Sequence, residues 1–129
     1  MAGAIIRQMK PLPVIAITMG DPAGIGPEVV AKSLAHRELP EARYAVLGDA
    51  ATMRRALGAV GVSAQVHAAS NLEDLKFEPR SISVLEPAGV DLTGVQIGEI
   101  SAAAGKASIE WVLAAADLVG SGQAAAIVT

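Results

Sequence analysis

The sequence predicts an α/β protein in which helices cover both faces of a mostly parallel sheet, a three-layer α/β/α arrangement. Two observations support this fold class. Short apolar, β-branched runs alternate along the chain with longer amphipathic runs, as strands alternate with crossover helices. Of the 129 residues, 52% are hydrophobic and only 2% are aromatic, so small aliphatic side chains dominate. Such side chains pack well between helices and a sheet that is buried on both sides.

Capping residues give the boundaries of two predicted helices. Asp49 is a favourable N-cap for one helix, which Gly61 is expected to end. Ser101 is a favourable N-cap for a longer, alanine-rich helix, which Gly120 is expected to end. The predicted strands are Val14–Thr18, Tyr44–Leu47, Ala64–Ala68, Ile82–Leu85 and Ala124–Val128, and the predicted helices are 27–36, Ala50–Val60 and Ala102–Val119.

The sequence divides into a short leader, residues 1–13, and one α/β domain, residues 14–129. A chain of this length is sufficient for one hydrophobic core. Residues 86–99 are expected to form a long loop, and loops of that length in a compact domain are usually functional or mobile. The sequence stops at the end of a predicted strand, where ligand-binding loops of this fold class begin. We therefore expect a portion of a longer polypeptide.

Charge and composition exclude several classes of partner. The net charge is −3, and one Trp, one Tyr and one Phe are the aromatic residues, so neither a basic surface nor a stacking surface for nucleic acid is predicted. The sequence has no cysteine, which excludes disulfides and cysteine zinc sites. Pro11 and Pro13 interrupt the first apolar run, which is too short for a signal peptide or a membrane span. We expect a cytoplasmic protein.

The segment Gly20–Glu28 is the most specific local feature of the sequence. It holds three glycines, two prolines and two carboxylates in nine residues, between a predicted strand and a predicted helix. A strand, a glycine-rich loop and a helix in this order form the ligand crevice of many α/β proteins. Gly20, Asp21 and Pro22 are therefore candidates to line a crevice, with Asp21 accepting a hydrogen bond from a ligand hydroxyl. The alternative is that the segment is only a tight turn.

The same loop does not match the dinucleotide-binding fingerprint G-x-G-x-x-G. Gly24 and Gly26 supply its first two glycines, but Val29 stands at the position of the third. Pro27 suits the first position of a helix, because its missing N–H is not needed there, and Gly26 is the expected cap. The loop therefore indicates a crevice without indicating how a dinucleotide is held.

A second phosphate-binding template also fails. Gly105 and Lys106 resemble the end of a P-loop, but Ile100 stands where its first glycine should be. Ala107 replaces the Ser or Thr that would hold Mg²⁺. We interpret Gly105 as a packing position in a helix and Lys106 as a solvated side chain, and a P-loop kinase is disfavoured.

The remaining chemically reactive side chains give weak signals. His36 falls at a predicted helix end, and His67 lies on a predicted strand without a histidine or carboxylate at ligand spacing. Arg54 and Arg55 are expected on a solvated face. Trp111, on the long helix, is expected to pack in the core or in an interface. No metal site is predicted from these residues.

Three segments of the sequence resemble one protein family. The run Ile17–Glu28 closely resembles the amino-terminal signature of 4-hydroxythreonine-4-phosphate dehydrogenases, the PdxA family of vitamin B6 biosynthesis. Gly98–Ser101, with the nearby residues 105–107, is a second match. Ala125–Thr129 is a third, and in the family it leads directly into a loop that contains proline and lysine. The sequence is similar to the amino-terminal portion of the family only.

The resemblance implies an isocitrate/isopropylmalate dehydrogenase-like fold and a homodimer with its cleft near the subunit interface. It implies NAD- or NADP-dependent oxidation and decarboxylation of 4-phosphooxy-L-threonine, also called 4-hydroxythreonine-4-phosphate, in pyridoxal phosphate biosynthesis. The implied divalent metal is Zn, Mg or Co. In that chemistry the metal polarises the substrate hydroxyl and carboxylate, hydride passes to nicotinamide, and the β-keto acid loses carbon dioxide.

The catalytic groups of the family are not expected among these residues. Its three metal-binding histidines, its phosphate-binding residues and its catalytic lysine all follow the position that matches Thr129. The resemblance therefore assigns no catalytic and no metal-binding residue to this sequence, and we expect the 129 residues alone to be inactive. Thr129 is nominated as the entry to the active-site loop, close to cofactor or substrate.

Other interpretations stay open at this point. Relatives with the same signature oxidise threonate-4-phosphate or aromatic cis-dihydrodiols, and the substrate-contacting positions that would decide are absent from the sequence. A different class is a non-catalytic module that binds a partner through a sheet edge and the helix of Trp111. A reading frame that continues past Thr129 with several histidines supports the dehydrogenase, whereas a stop codon supports the module.

Overall fold

The computed structural model describes residues 10–35 and 38–129. No strand or helix lies between residues 86 and 101 in this part of the chain, so the long loop expected there is confirmed. The elements, in chain order, are β1 (Val14–Thr18), α1 (Gly26–Ala35), β2 (Arg43–Leu47), α2 (Ala50–Val60), β3 (Gln65–Ala69), β4 (Ser81–Leu85), α3 (Ala102–Gly120) and β5 (Ala126–Val128).

The five strands form one sheet in the order β3-β4-β2-β1-β5, and every pairing is parallel. Neighbouring strands end together: Thr18 of β1 lies opposite Leu47 of β2, which lies opposite Leu85 of β4. The carboxyl ends of the strands therefore meet along one edge of the sheet, which is where ligands bind in open α/β sheets. The predicted parallel α/β class is confirmed.

The order of the strands reverses at β1. From β1 the chain builds the sheet to one side through β2, β3 and β4, and then returns through α3 to place β5 on the other side of β1. Right-handed crossovers that run in opposite directions place their helices on opposite faces of a sheet. Accordingly α1 and α2 pack on each other, while α3 packs against β1, β2 and β5. The predicted three-layer arrangement is confirmed.

The hydrophobic core lies between these layers and consists mainly of small aliphatic side chains. Trp111 of α3 is its largest fully buried side chain, and the indole N–H has no hydrogen-bond partner in the described part of the chain. Of the two expected environments for Trp111, the core is therefore the one observed. The other fully buried large side chains are Met19, Pro22, Val46, Leu47, Met53 and Val84.

Both predicted caps of α2 and the predicted N-cap of α3 are confirmed. The Asp49 carboxylate accepts a hydrogen bond from the Thr52 N–H at 2.6 Å, and Gly61 ends α2 in the left-handed conformation, with φ of 68°. The Ser101 hydroxyl accepts a hydrogen bond from the Ala104 N–H at 3.1 Å. Polar N-caps satisfy N–H groups that have no partner within the helix, which is why these positions could be identified from sequence.

The start of α1 differs from the prediction. The helix begins at Gly26 and not at Pro27, because the carbonyl oxygen of Ile25 already accepts a hydrogen bond of 3.0 Å from the Val29 N–H. Gly26 is thus a helical residue and not the cap. The predicted end of this helix at His36, and the interpretation of that histidine, lie outside the described residues.

The end of α3 also differs from the prediction. Gly120 is helical, and the left-handed glycine is Gly122, with φ of 77°. The Ala124 N–H still donates to the Leu118 carbonyl oxygen at 3.0 Å, so Ala124 belongs to the turn that ends the helix. β5 consequently begins at Ala126, two residues later than predicted. Strands β2, β3 and β4 differ from their predicted bounds by a single residue at one or both ends.

The outward side of α3 is unusually apolar. Ile109, Val112 and Leu113 are exposed there, with 61%, 40% and 54% of their surface accessible. A methyl group added at Gly105 of the same helix would meet no neighbouring element within 4 Å, so the interpretation of this glycine as a packing position is wrong, whereas Lys106 is exposed as expected. Among residues 10–35 and 38–129, no helix combines the length and apolar character needed to span a membrane.

Candidate functional site

Tight packing around Met19 fixes the start of the loop that follows β1. Met19 is 1% exposed, and its N–H donates to the Leu47 carbonyl oxygen at 2.9 Å. A Cβ atom on Gly26 would lie 2.5 Å from the Met19 carbonyl oxygen, and one on Gly48 would lie 2.5 Å from the Met19 Cε. The backbone of α1 and the loop after β2 therefore approach Met19 at positions where only glycine fits.

Gly20, Asp21 and Pro22 lie directly after β1, at the carboxyl edge of the sheet. Gly20 has a φ of +77°, in the left-handed region that favours glycine, and Pro22 is buried. Asp21 is exposed, and its Oδ1 accepts a hydrogen bond of 2.8 Å from the Ala23 N–H. The Asp21 carbonyl oxygen accepts one of 3.0 Å from Gly24. One carboxylate oxygen thus stabilises the turn, and a ligand contact of Asp21 stays a prediction.

Two further contacts hold the loop from outside. Arg55 of α2 donates from its guanidinium to the Pro22 carbonyl oxygen at 2.9 Å, and the Gly98 N–H donates to the Ala23 carbonyl oxygen at 2.7 Å. The sequence predicted that Arg55 lies on a solvated face, and its side chain is exposed; the hydrogen bond to the loop after β1 was not predicted. The two bonds connect the loop after β1 with α2 and with the long loop that precedes α3.

The ends of β1 and β5 bring two threonine hydroxyls together. Ile17 pairs with Val128 in parallel register, so the next residues, Thr18 and Thr129, lie side by side. The Thr18 hydroxyl donates to the Thr129 Oγ1 across 2.9 Å. Thr18 is 6% exposed and Thr129 is exposed. The pair lies where the order of the strands reverses, which is the usual position of the ligand crevice in such sheets.

Two carboxylates occupy the start of α2 at the same edge. Besides the Asp49 cap, the Glu86 Oε1 accepts a hydrogen bond of 2.7 Å from the Ala50 N–H. Negative charge is favourable at this end of a helix, because the free N–H groups and the helix dipole are positive there. Two N–H groups at the amino terminus of α2 are therefore bonded to the protein's own carboxylates, whose negative charge disfavours an anionic ligand there.

The long loop between β4 and α3 has internal structure near the site. The Asp91 Oδ1 accepts a hydrogen bond of 2.9 Å from the Thr93 N–H. Hydrogen bonds from the Thr93 side chain and backbone hold the pKa of the Asp91 carboxyl below its ordinary value. Ile97 and Ile100 of the same segment are exposed, on either side of the glycine that binds the loop after β1.

The opposite, amino-terminal edge of the sheet carries a cavity of about 980 Å³. Its lining includes Ser63, Glu78 and Arg80. Close to it, the His67 Nε2 lies 3.1 Å from the Glu78 Oε2, so this histidine does have a carboxylate partner, which the sequence spacing had not indicated. The pair is partly exposed and, within the described residues, lacks a third ligand group, and this edge is not the one at which parallel sheets place ligands.

At the carboxyl edge the structure brings Thr129 next to the strand that leads into Gly20, Asp21 and Pro22. Thr18, Arg55 and Glu86 also lie at this edge, although they were not nominated from sequence. Thr18 ends β1 and Glu86 directly follows β4, and a polar residue at the carboxyl end of a strand is a usable sequence signal in this fold class. Arg55 carries no such signal.

The described residues provide hydroxyl, carboxylate and guanidinium groups at this edge but no metal centre. Within residues 10–35 and 38–129, no group of three His, Asp or Glu side chains converges as metal ligands do. A site for the divalent metal implied by the resemblance therefore does not fit among these residues, and no step of the chemistry can be assigned through a metal here.

The comparison with known families agrees with the motifs and the fold. Residues 40–129 match the family model described as pyridoxal phosphate biosynthetic protein PdxA. The chain belongs to the PdxA family. The matched part extends from just before β2 to Thr129, so it includes the ends of β2, β4 and β5, whereas β1 and the loop Gly20–Glu28 precede it. The resemblance identified from the sequence motifs is thereby confirmed.

Individual PdxA-family relatives agree in fold and in kind of enzyme. The chain is 42% identical over 121 residues to D-threonate 4-phosphate dehydrogenase of Bordetella bronchiseptica, covering 92% of this chain and 34% of the relative. It superimposes on a 4-hydroxythreonine-4-phosphate dehydrogenase from Burkholderia phymatum with a TM-score of 0.82 at 37% identity, covering 92% of this chain and 36% of the other. It superimposes on a terephthalate 1,2-cis-dihydrodiol dehydrogenase from Burkholderia xenovorans with a TM-score of 0.64 at 28% identity, covering 89% of this chain and 32% of the other.

These relatives are all dehydrogenases, although the substrates in their names differ. The PdxA-family chain spans about a third of the length of the relatives that it matches. Two of the three substrates are phosphorylated and one is an aromatic dihydrodiol. The relatives therefore agree in being dehydrogenases, but they do not agree on one substrate.

Proposed function

We propose that the complete gene product is an NAD- or NADP-dependent dehydrogenase that oxidises and decarboxylates a four-carbon, 4-phosphorylated hydroxy acid. The first candidate substrate is 4-phosphooxy-L-threonine, which would place the enzyme in pyridoxal phosphate biosynthesis. The family match over residues 40–129 is the observation that carries this proposal. We further propose a homodimer in the cytoplasm, in keeping with the family resemblance.

The geometry of the carboxyl edge supports a ligand site there. The loop after β1 is held by the Arg55 and Gly98 hydrogen bonds, and a rigid loop can orient a ligand without first being ordered. The two threonine hydroxyls stand beside it at the reversal of strand order. Gly20, Asp21, Pro22 and Thr129 are therefore proposed to lie near substrate or cofactor. None of them is proposed as an acid, base or metal ligand.

The nicotinamide cofactor would supply the hydride acceptor, and a divalent metal would supply the charge that stabilises the developing oxyanion. The described residues match neither the dinucleotide fingerprint nor a metal ligand set. Their proposed contribution is restricted to shaping the crevice and donating hydrogen bonds. The 129-residue chain by itself is accordingly proposed to be inactive.

A second candidate substrate is D-threonate 4-phosphate, favoured by the 42% identity to the Bordetella bronchiseptica enzyme. The two candidates differ at C2, which carries an ammonium group in 4-phosphooxy-L-threonine and a hydroxyl group in threonate. A site that hydrogen-bonds one of these groups discriminates strongly against the other, because a buried polar group is left unpaired. Substrate preference is therefore decided by a direct kinetic comparison.

The test is a steady-state assay of the complete gene product with NAD⁺ and with NADP⁺. 4-Phosphooxy-L-threonine, D-threonate 4-phosphate and an aromatic cis-dihydrodiol are compared by kcat/KM, before and after removal of divalent metal with a chelator. We expect turnover of one phosphorylated acid, loss of activity on metal removal and recovery when metal is restored. Turnover of the dihydrodiol alone, or of none of the three, would contradict the proposal and favour an unrelated substrate or a non-catalytic module.

A further inference from the structure

We propose that Thr18 and Thr129 form a hydroxyl pair that binds an oxyanion oxygen of the substrate, a carboxylate or a phosphate oxygen. Thr129 makes the contact, and Thr18 positions the Thr129 hydroxyl. The identity of the substrate as a phosphorylated hydroxy acid rests on the proposed function, whereas the pairing of the two hydroxyls rests on the geometry alone.

Counting the protons of the pair indicates a free donor. Each threonine hydroxyl has one proton to donate and two lone pairs. Thr18 is 6% exposed and donates its proton to the Thr129 Oγ1 at 2.9 Å. Two hydroxyls that share one hydrogen bond use one of their two protons in it, so one proton of the pair is left for another acceptor. That proton is available to a ligand, and the hydrogen bond within the pair polarises it and makes the pair a better donor.

The position of the hydroxyl pair is more typical of a ligand site than of a hydrogen bond that only stabilises the fold. Thr18 and Thr129 lie 111 positions apart and meet because β1 and β5 are parallel neighbours that end together. This junction is the point at which the strand order reverses, and ligands of open α/β sheets bind in the crevice there. The loop Gly20–Glu28 begins two residues after Thr18, so the hydroxyl pair and the loop face one crevice edge.

The chemistry of the pair selects an oxygen anion. A hydroxyl donor binds carboxylate and phosphate oxygens without a change in its own ionisation, and hydrogen bonds to charged groups are stronger than those between neutral groups. The start of α2, another donor site at this edge, is occupied by the carboxylates of Asp49 and Glu86. The hydroxyl pair, in contrast to the start of α2, has no carboxylate of the described residues bound to it.

The first test compares the wild-type complete gene product with three variants in the dehydrogenase assay. Thr129→Val removes the hydroxyl at constant shape and is expected to raise KM about tenfold or more with little change in kcat, because the contact is made equally in ground and transition states. Thr129→Ser keeps the hydroxyl and is expected to stay near wild type. Ser63→Ala removes an exposed hydroxyl at the opposite edge of the sheet and serves as control.

The second test is a double-mutant cycle with Thr18→Val. Because Thr18 acts through Thr129, we expect Thr18→Val to raise KM less than Thr129→Val, and the double variant to match Thr129→Val alone. Additive effects would overturn the positioning role. An equal rise in KM for Thr129→Val and Thr129→Ser would overturn the hydroxyl contact. Should Thr18→Val not fold, Thr18→Ser, which keeps the hydroxyl, must be active and retain the wild-type KM.

Two inhibitors distinguish the phosphate from the carboxylate as the bound group. Inorganic phosphate and unphosphorylated D-threonate are titrated as competitive inhibitors of the wild type and of Thr129→Val. If Thr129→Val weakens inhibition by phosphate but not by D-threonate, the pair binds the phosphate group of the substrate. If it weakens inhibition by D-threonate but not by phosphate, the pair binds the carboxylate. Unchanged inhibition by both would overturn the proposal.

Failure of the proposed function is recognised separately. If the wild type turns over no phosphorylated acid, calorimetric titration with inorganic phosphate and with D-threonate replaces the assay. Weaker binding of either anion by Thr129→Val then supports the hydroxyl pair on its own. Absence of any difference between wild type and Thr129→Val, including absence of binding to both, would overturn it.

Discussion

The guanidinium of Arg55 donates a hydrogen bond of 2.9 Å to the carbonyl oxygen of Pro22, 33 positions earlier in the chain. This bond joins the second turn of α2 to the loop that follows β1. Pro22 is fully buried, whereas Arg55 is exposed apart from the contact. The loop is thus held from its solvent side by a side chain of the neighbouring helix, and removing that side chain should loosen the loop without disturbing the core.

Arg55→Ala is expected to lower the free energy of unfolding by about 1 kcal/mol, the usual net value of one hydrogen bond. The Gly24 amide, which donates to the Asp21 carbonyl oxygen within the loop, should exchange its hydrogen faster. Urea denaturation and amide hydrogen exchange measure the two effects. Arg54→Ala is the matched control, because Arg54 is exposed and makes no hydrogen bond in the described part of the chain. Equal effects of the two variants would show that the Arg55 contact is unimportant.

A pair of glycine substitutions tests the close approach at Met19. Gly26→Ala places a methyl group 2.5 Å from the Met19 carbonyl oxygen, which is backbone and cannot rotate away, so we expect a loss of about 1–3 kcal/mol. Gly105→Ala, inside α3 with open space around it, should instead stabilise by about 0.5–1 kcal/mol through helix propensity. Both values come from urea denaturation. Stabilisation by Gly26→Ala would contradict the observed packing.

Local sequence rules predicted the elements well because their signals are local. The Asp49 and Ser101 caps and the left-handed Gly61 were identified from neighbouring residues, and each is found where expected. The prediction that Gly120 ends α3 was wrong. Gly122, two residues later, also fits the rule that a glycine follows the end of a helix, and the local sequence does not decide between the two glycines. Where two glycines lie close together after a helix, the end of that helix therefore depends on tertiary packing and not on local sequence alone.

The candidate site was predicted only in part because it depends on long-range pairing. Gly20, Asp21 and Pro22 follow a strand, so their place at the carboxyl edge could be inferred. Thr18 meets Thr129 only because β5 is added beside β1, and the order of strands in a sheet is not encoded in any one segment. The Arg55 contact likewise requires that α2 lie over the loop after β1. Such contacts follow from topology and not from local sequence pattern.

The contact between Glu86 and α2 gives a further prediction. Glu86→Ala removes the acceptor of the Ala50 N–H and should destabilise the protein by about 1 kcal/mol, as loss of a helix cap does. Glu86→Gln retains an oxygen acceptor and should lose less than half of that amount. Glu99→Ala is the control, since Glu99 is exposed on the same loop segment. Equal destabilisation by Glu86→Gln and Glu86→Ala would show that charge, and not the acceptor oxygen, is the important term.

Trp111 provides an internal probe of the core, because it is the single tryptophan of the sequence and is fully buried. Its fluorescence should be blue-shifted in the folded protein and shielded from iodide quenching, and both properties should be lost on unfolding. If α3 is part of one cooperative unit, the fluorescence and circular dichroism transitions in urea will coincide. A fluorescence transition at lower urea would show that α3 detaches before the sheet unfolds.

The apolar outer face of α3 predicts the behaviour of the 129-residue polypeptide in solution. Ile109, Val112 and Leu113 are exposed together on one helix, and contiguous exposed apolar surface favours association. The polypeptide should therefore self-associate with increasing concentration in analytical ultracentrifugation. Leu113→Lys should weaken this association about tenfold or more, because a charge would have to be buried in the contact. Leu12→Lys, at an exposed leucine outside α3, should leave it unchanged, and an equal effect of both lysines would point to net charge and not to the α3 face as the cause.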